Sequence, residues 1–283
     1  MSRTWFPLLM AAAMVWLSVP GAAAESSKLA PGPIIRLNPP EQGFFTKELL
    51  CGGIPIKAPE VVTNAALWEA GRRLSRQLAH LPMVRSNLIA AGVEVHLIGQ
   101  HQVTSDLPEF RKLKGKPLPE YKGETVDQRT RGLGGRLTSC GEENLLKLPT
   151  DHYFGRDILV HEFAHAIRNY GLPREVVARF NQQYQASLAA GLWKGAYAGS
   201  NPDEYFAELT MWYFGTHGDL NMTGPKPANG PEGLKNYDPK AFALFDDFYS
   251  GRIPISKVEP RHYFHPHRDS DEVTTNDPAS DQK

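Results

Sequence analysis

The stretch DILVHEFAHAI, Asp157 to Ile167, places His161 and His165 four residues apart with Glu162 directly after the first. On a helix, positions i and i+4 share one face, so both imidazoles can aim at one point. Two nitrogens at that spacing suit a zinc ion, whose imidazole ligands lie at ~2.0–2.1 Å in tetrahedral arrangement. Glu162, rotated about 100° from His161, is placed to act on a water at the metal as a general base rather than to bind the metal itself. Leu159, Phe163, Ala166 and Tyr170 form an apolar stripe for packing, small Ala164 permits a close neighbour, and Gly171 with Pro173 signals the helix end.

Catalytic zinc takes three protein ligands and leaves a position for water. Downstream, GAYAGSNPDEYFAELTMWYF reads as a second helix, with Asn201 as cap and Pro202 at its first position. Glu204 and Glu208, four apart, can both point at the first helix. Glu204 also fits a capping box with Asn201, and Glu208 also fits a carboxylate that orients a ligand histidine. Spacing leaves that choice open.

The segments HEFAHAI and YAGSNPDEYFAE together resemble the catalytic domain of the anthrax lethal factor family of zincin peptidases, over about residues 155–215. The resemblance implies His161, His165 and Glu204 as Zn²⁺ ligands, Glu162 as base, Tyr197 as proton donor or oxyanion stabiliser, and Glu208 behind the ligands. TRGLGG, GEENLL and DILVHEFAH also resemble small secreted HEFAH-type proteins. The implied fold is α+β of the zincin type, with a small twisted sheet, the metal helix and a helical C-terminal subdomain. The implied activity is zinc-dependent peptide-bond hydrolysis. The competing expectation is an exported zincin-fold protein that binds zinc or a surface partner and cleaves nothing.

Around these parts, residues 1–24 have a basic start, an apolar core too short to span a bilayer and small residues before Glu25, which predicts a cleaved secretory signal and a secreted or periplasmic protein. Residues 25–54 read as an extended leader, 55–255 as the catalytic domain and 256–283 as a disordered polar tail, its His262, His265 and His267 solvated. Within the domain, Ala66, Leu67, Ala70, Leu74 and Leu78 recur at helical spacing until Pro82. Val93, Val95 and Leu97 alternate as in a strand, with His96 on the opposite, exposed face. Residues 100–128 read as a long surface loop flanking a cleft, and the glycine-rich run from Leu133 to Thr138 as an edge where an extended peptide could add.

Lysine plus arginine and aspartate plus glutamate number 31 each, so no long-range field favours nucleic acid or an anionic membrane. The expected partner is a peptide or protein substrate, with no membrane insertion after signal cleavage. The two cysteines, Cys51 and Cys140, predict one disulfide in an exported protein; the alternative is Cys51 as a thiolate capping the metal.

Overall fold

The computed structural model describes residues 29–153, 155–218 and 225–259. The predicted signal, the first residues of the leader, Phe154 and the three tail histidines lie outside them. The protein is α+β. Strands β1 (Pro31–Glu41), β2 (Phe45–Cys51) and β3 (Ile54–Ala58) are antiparallel neighbours. Helices α1 (Asn64–Leu78) and α2 (Pro82–Ala90) follow, then β4 (Glu94–Ile98), which pairs parallel to β3. A short helix α3 (Val126–Arg129) leads to β5 (Leu137–Gly141), parallel to β4, so the five strands lie in chain order.

The leader expectation is therefore corrected from Pro31 onward. Gly52 and Gly53 both have positive φ, 57° and 91°, and form the two-residue turn that folds β3 back on β2. Phe45, Leu49, Cys51 and Ile54 are fully buried in consequence. The tail expectation is corrected at its start, where Asn87 donates to Ser256 O and accepts from Val258 N, docking that chain on α2.

Helix α1 covers the inner face of the sheet. Thr63 caps it, and the five apolar positions expected to pack, Ala66 to Leu78, are all buried. The outer face departs from expectation at His96, which is fully buried. Alternation fixed its face, but the 3₁₀ turn Pro108–Leu113 folds over that face and brings Glu109 to it. His96 Nδ1 lies 2.6 Å from Glu109 and Nε2 3.1 Å from Glu94, while Phe45, Ile98 and Leu107 form a small apolar cluster beside it.

Both cysteines are buried free thiols, so the disulfide expectation is corrected. Cys51 ends β2 and Cys140 sits on β5; three strand spacings of ~4.8 Å separate the strands, well beyond the ~7 Å Cα limit of a disulfide. Cys51 Sγ is held by Leu29 O, Gly71 O and Ser75 Oγ, which also removes it from any metal-capping role.

After β5, α4 (Glu142–Leu146) turns the chain toward α5 (Ile158–Ala166). A π-turn, Ile167–Gly171, extends α5, and α6 (Arg174–Ala189), α7 (Pro202–Tyr213), α8 (Pro231–Tyr237) and α9 (Pro239–Tyr249) complete the chain. The histidine-bearing α5 packs between the sheet and α7. Behind α7, Phe180, Phe206, Phe245 and Phe248 meet in mostly edge-to-face contacts, 4.8 Å between the Phe180 and Phe206 centroids. That core fixes the height of α7 against α5. Among the described residues, no helix is long and apolar enough to cross a membrane.

Candidate metal centre

The first turn of α5 is anchored from several directions. Asp157 caps it, its carboxylate accepting from Val160 N and from Arg73 of α1, and its own N–H donates to Thr216 O. Asn144 of α4 accepts from Ile158 N and donates to Arg156 O. Leu159, Phe163, Ala164 and Ala166 are fully buried, so the opposite face carrying His161, Glu162 and His165 is turned to the cleft. The α-helix ends at Ala166, a turn before the expected stop, because the π-turn takes over as far as Gly171.

On α7, Asn201 accepts from the backbone N–H of Glu204, and the Glu204 side chain makes no reciprocal cap. It points instead at the histidines. His161 Nε2 and His165 Nε2 are 3.2 Å apart, and Glu204 Oε2 is 3.1 Å from the first and 3.5 Å from the second. A tetrahedral site with ~2.05 Å ligand bonds has an edge of ~3.3 Å, close to each side of this triangle. Glu204 Oε2 is buried without a hydrogen-bond donor, a state that costs several kcal/mol unless a cation meets it. These three side chains form a cluster able to hold a metal ion, and they fit zinc by donor type and spacing.

Glu208, one turn along α7, is fully buried behind them. Its Oε1 lies 3.0 Å from His161 Nδ1 and accepts from Arg156, while Oε2 is 2.7 Å from His217 Nε2. His217 stacks on Trp212 at 3.3 Å between centroids. Arg156 and His217 escaped the sequence reading; neither lies at a spacing from Glu208 that local periodicity would flag.

The electrostatics suit a cation. Burial opposes a charged His161, but the carboxylates of Glu204 and Glu208, with Glu162, outweigh it and push its pKa up to about 10 without metal. Glu204 and Glu208 are held well below the usual carboxylate range, because His161 and its neighbours outweigh their burial. Glu162 moves the other way: burial raises it, and the two histidines only partly offset this. A base with a raised pKa is better able to accept a proton near neutrality.

Tyr197 lies on the 3₁₀ turn Tyr197–Gly199, 47% exposed, its ring 6.3 Å from that of His161 and nearly parallel to it. Burial of the hydroxyl and the nearby Glu204 charge raise its pKa, keeping it a phenol donor.

The opposite wall is the strap Thr130–Gly135. Leu133 exchanges backbone hydrogen bonds with Ser139 of β5, so one side of the Leu133–Thr138 run expected to receive a peptide is paired to the sheet, and the strap's other side lines the cleft. Arg131 holds it by pairing with Glu143 and donating to Gly99 O. A Cβ on Gly134 would fall 2.7 Å from His165 Cβ, and one on Gly132 2.6 Å from Ile158 Cγ2, so these glycines are required by close approach to α5. Between strap and α7 lies a cleft of about 950 Å³ that reaches His161, Glu162, His165, Tyr197 and Glu204 together.

No family model matches the sequence. No curated protein matches it either. Among solved structures, the Pro-Pro endopeptidase PPEP-2 from Paenibacillus alvei is similar at 20% identity over 71% of this chain and 97% of that one, with a TM-score of 0.47. Its description is not that of a lethal factor, and the lethal-factor likeness stays with the motif segments. A likeness this slight carries no inference about activity, so the chemistry rests on the side chains themselves.

Proposed function

We propose that this protein is an exported zinc-dependent peptidase with a zincin-like fold, in which His161, His165 and Glu204 hold the metal. The observation that carries the reading is the convergence of three donor atoms at near-tetrahedral spacing in an open cleft that also contains Glu162 and Tyr197. Bound zinc supplies Lewis acidity, lowering the pKa of a water ligand from 15.7 toward ~7 and polarising a carbonyl.

The chain's own residues do the rest. Glu162 accepts the proton of the attacking water and delivers it to the departing amine, a role its raised pKa favours. Tyr197 donates its hydroxyl hydrogen bond to the oxygen of the scissile carbonyl as negative charge develops, a contact worth about 3–4 kcal/mol in other hydrolases. Glu208 Oε1, 3.0 Å from His161 Nδ1, sets its charge against that side of the ring, which leaves Nε2 as the ligating nitrogen. The strap's cleft-lining side aligns an extended peptide across the cleft. Export rests on the signal-like residues 1–24.

The test pairs metal analysis of the protein with a peptide-library digest, using Glu162→Gln as control. The expected result is one zinc per chain in both proteins, with cleavage lost by 10³-fold or more in the variant. Stoichiometric zinc without Glu162-dependent cleavage would replace this reading with a non-catalytic zinc-binding protein.

A further inference from the structure

The cleft holds one cationic side chain that the proposed chemistry does not use. Arg129 closes α3 at the rim, exposed and facing the same cavity as Glu162 and Tyr197. Among the described residues, its guanidinium has no hydrogen-bonded or ion-paired partner, although its charge acts on the Tyr197 hydroxyl. The other ionic side chains of the cleft wall are matched: Arg156 by Glu208 and Asp203 by Arg168. On the zinc reading, two positive charges of the metal are offset by Glu204 and Glu162. Arg129 is the charge left over.

Its backbone is also unusually fixed for a rim residue. Thr125 and Gln128 cap α3 reciprocally, Asp127 accepts from Ser105 N at 2.7 Å and Ser105 Oγ at 2.6 Å, and Thr104 Oγ1 donates to Thr130 O at 2.6 Å. Val126 is buried beneath. The turn therefore presents the arginine from a held position, with bonds to the Val103–Asp106 segment at Asp127, two residues before it, and at Thr130, directly after it. An arginine fork placed this way matches a carboxylate in two-point geometry.

We propose that Arg129 selects peptides carrying a carboxylate close to the scissile bond, and so determines specificity at this site. The inference rests on the peptidase reading for its substrate class. Two sources present the same chemistry, an aspartate or glutamate side chain or a free C-terminal carboxylate. A charge-assisted hydrogen bond pair predicts a preference of roughly 10–100-fold over the matching amide.

The experiment uses the zinc-loaded full protein and two sets of matched peptides: end-blocked peptides differing by Asp/Asn or Glu/Gln, and short peptides differing by a free or amidated C-terminus. Ratios of kcat/KM within each pair are read for wild type, Arg129→Gln, Arg129→Lys and Arg129→Glu, with zinc content checked in each. The ratio is expected to favour the acid in one set, fall to near one in Arg129→Gln, persist in part in Arg129→Lys and invert in Arg129→Glu. The set that discriminates names the source. The same pairs, fluorescently labelled, are titrated into zinc-loaded Glu162→Gln protein with and without Arg129→Gln, and Kd ratios are read by anisotropy. A carboxylate-dependent Kd ratio lost in Arg129→Gln supports the inference even if wild type cleaves nothing, which sinks only the peptidase reading. Cleavage with ratios near one in both sets, an Arg129→Gln loss equal for acid and amide, or no Kd difference within either set overturns it.

Discussion

Gly134→Ala is the sharpest test of how the strap and the metal helix depend on one another. Gly134 does not occupy the left-handed region, so alanine is acceptable to its backbone and the effect is steric. The new methyl would lie 2.7 Å from His165 Cβ, 2.8 Å from Cδ2 and 3.0 Å from Cγ. Carbon atoms pack at ~3.5–4.0 Å, so a separation of about 0.8 Å must be made up by moving the strap or the His165 ring. The strap is tied at Arg131 and Leu133, and α5 is clamped at its start, so part of the shift falls on the ring. Metal ligands tolerate displacements of ~0.2 Å, and ~1 Å of misplacement costs ~100-fold in rate. The expected outcome is zinc affinity reduced at least tenfold by chelator competition and kcat/KM reduced by about 100-fold, with far-ultraviolet circular dichroism unchanged. Zinc affinity and turnover both within twofold of wild type would refute the reasoning.

Glu208→Gln leaves Arg156 without its carboxylate and weakens the contact to His161 Nδ1; zinc affinity is expected to fall 10–100-fold in the same competition assay, while Asp203→Asn changes it little. His96 supplies a pH signature. Burial opposes its charge, yet the carboxylates of Glu109 and Glu94 outweigh it and leave its pKa raised above 6.5; Lys57 pairs with Glu94 and Glu41 nearby. A raised pKa contributes stability in full below 6.5 that is lost as pH rises through the folded value, so urea midpoints are expected to decline on the alkaline side, and His96→Gln removes that decline. A decline identical in both proteins contradicts the assignment. Glu94, lowered to about 2 by His96 and Lys57 against its burial, gives the opposite limb, lost as pH falls from 4.5 toward about 2. Finally, the protein unfolded without reductant is expected to titrate two thiols, Cys51 and Cys140; none would restore the disulfide.

The metal helix was legible because its information is local: a four-residue spacing and an apolar stripe fix which face meets the cleft. The α1 stripe was legible for the same reason. Glu204 and Glu208 could not be told apart by spacing, since both share a face of α7; the difference lies in depth, with Glu204 opening on the cleft and Glu208 sealed behind His161. Composition misled where geometry decides. The proline-rich leader conceals a Gly52–Gly53 hairpin, and an even cysteine count says nothing about three intervening strand spacings. His96 shows that alternation assigns a side chain to a face without saying what later chain will cover it. Arg156 meets Glu208 from 52 positions away, which no window of residues brings together, and His217, nine positions beyond Glu208, lies past the end of α7, where helical periodicity no longer applies.

Each strand lies beside its predecessor, and the two histidines precede α7 in the polypeptide. A nascent chain can therefore assemble the sheet and the first half of the centre vectorially, yet it presents only a two-point chelate until α7 has emerged and docked. On the proposed reading, a competent centre therefore exists only in a chain whose α7 has docked on α5.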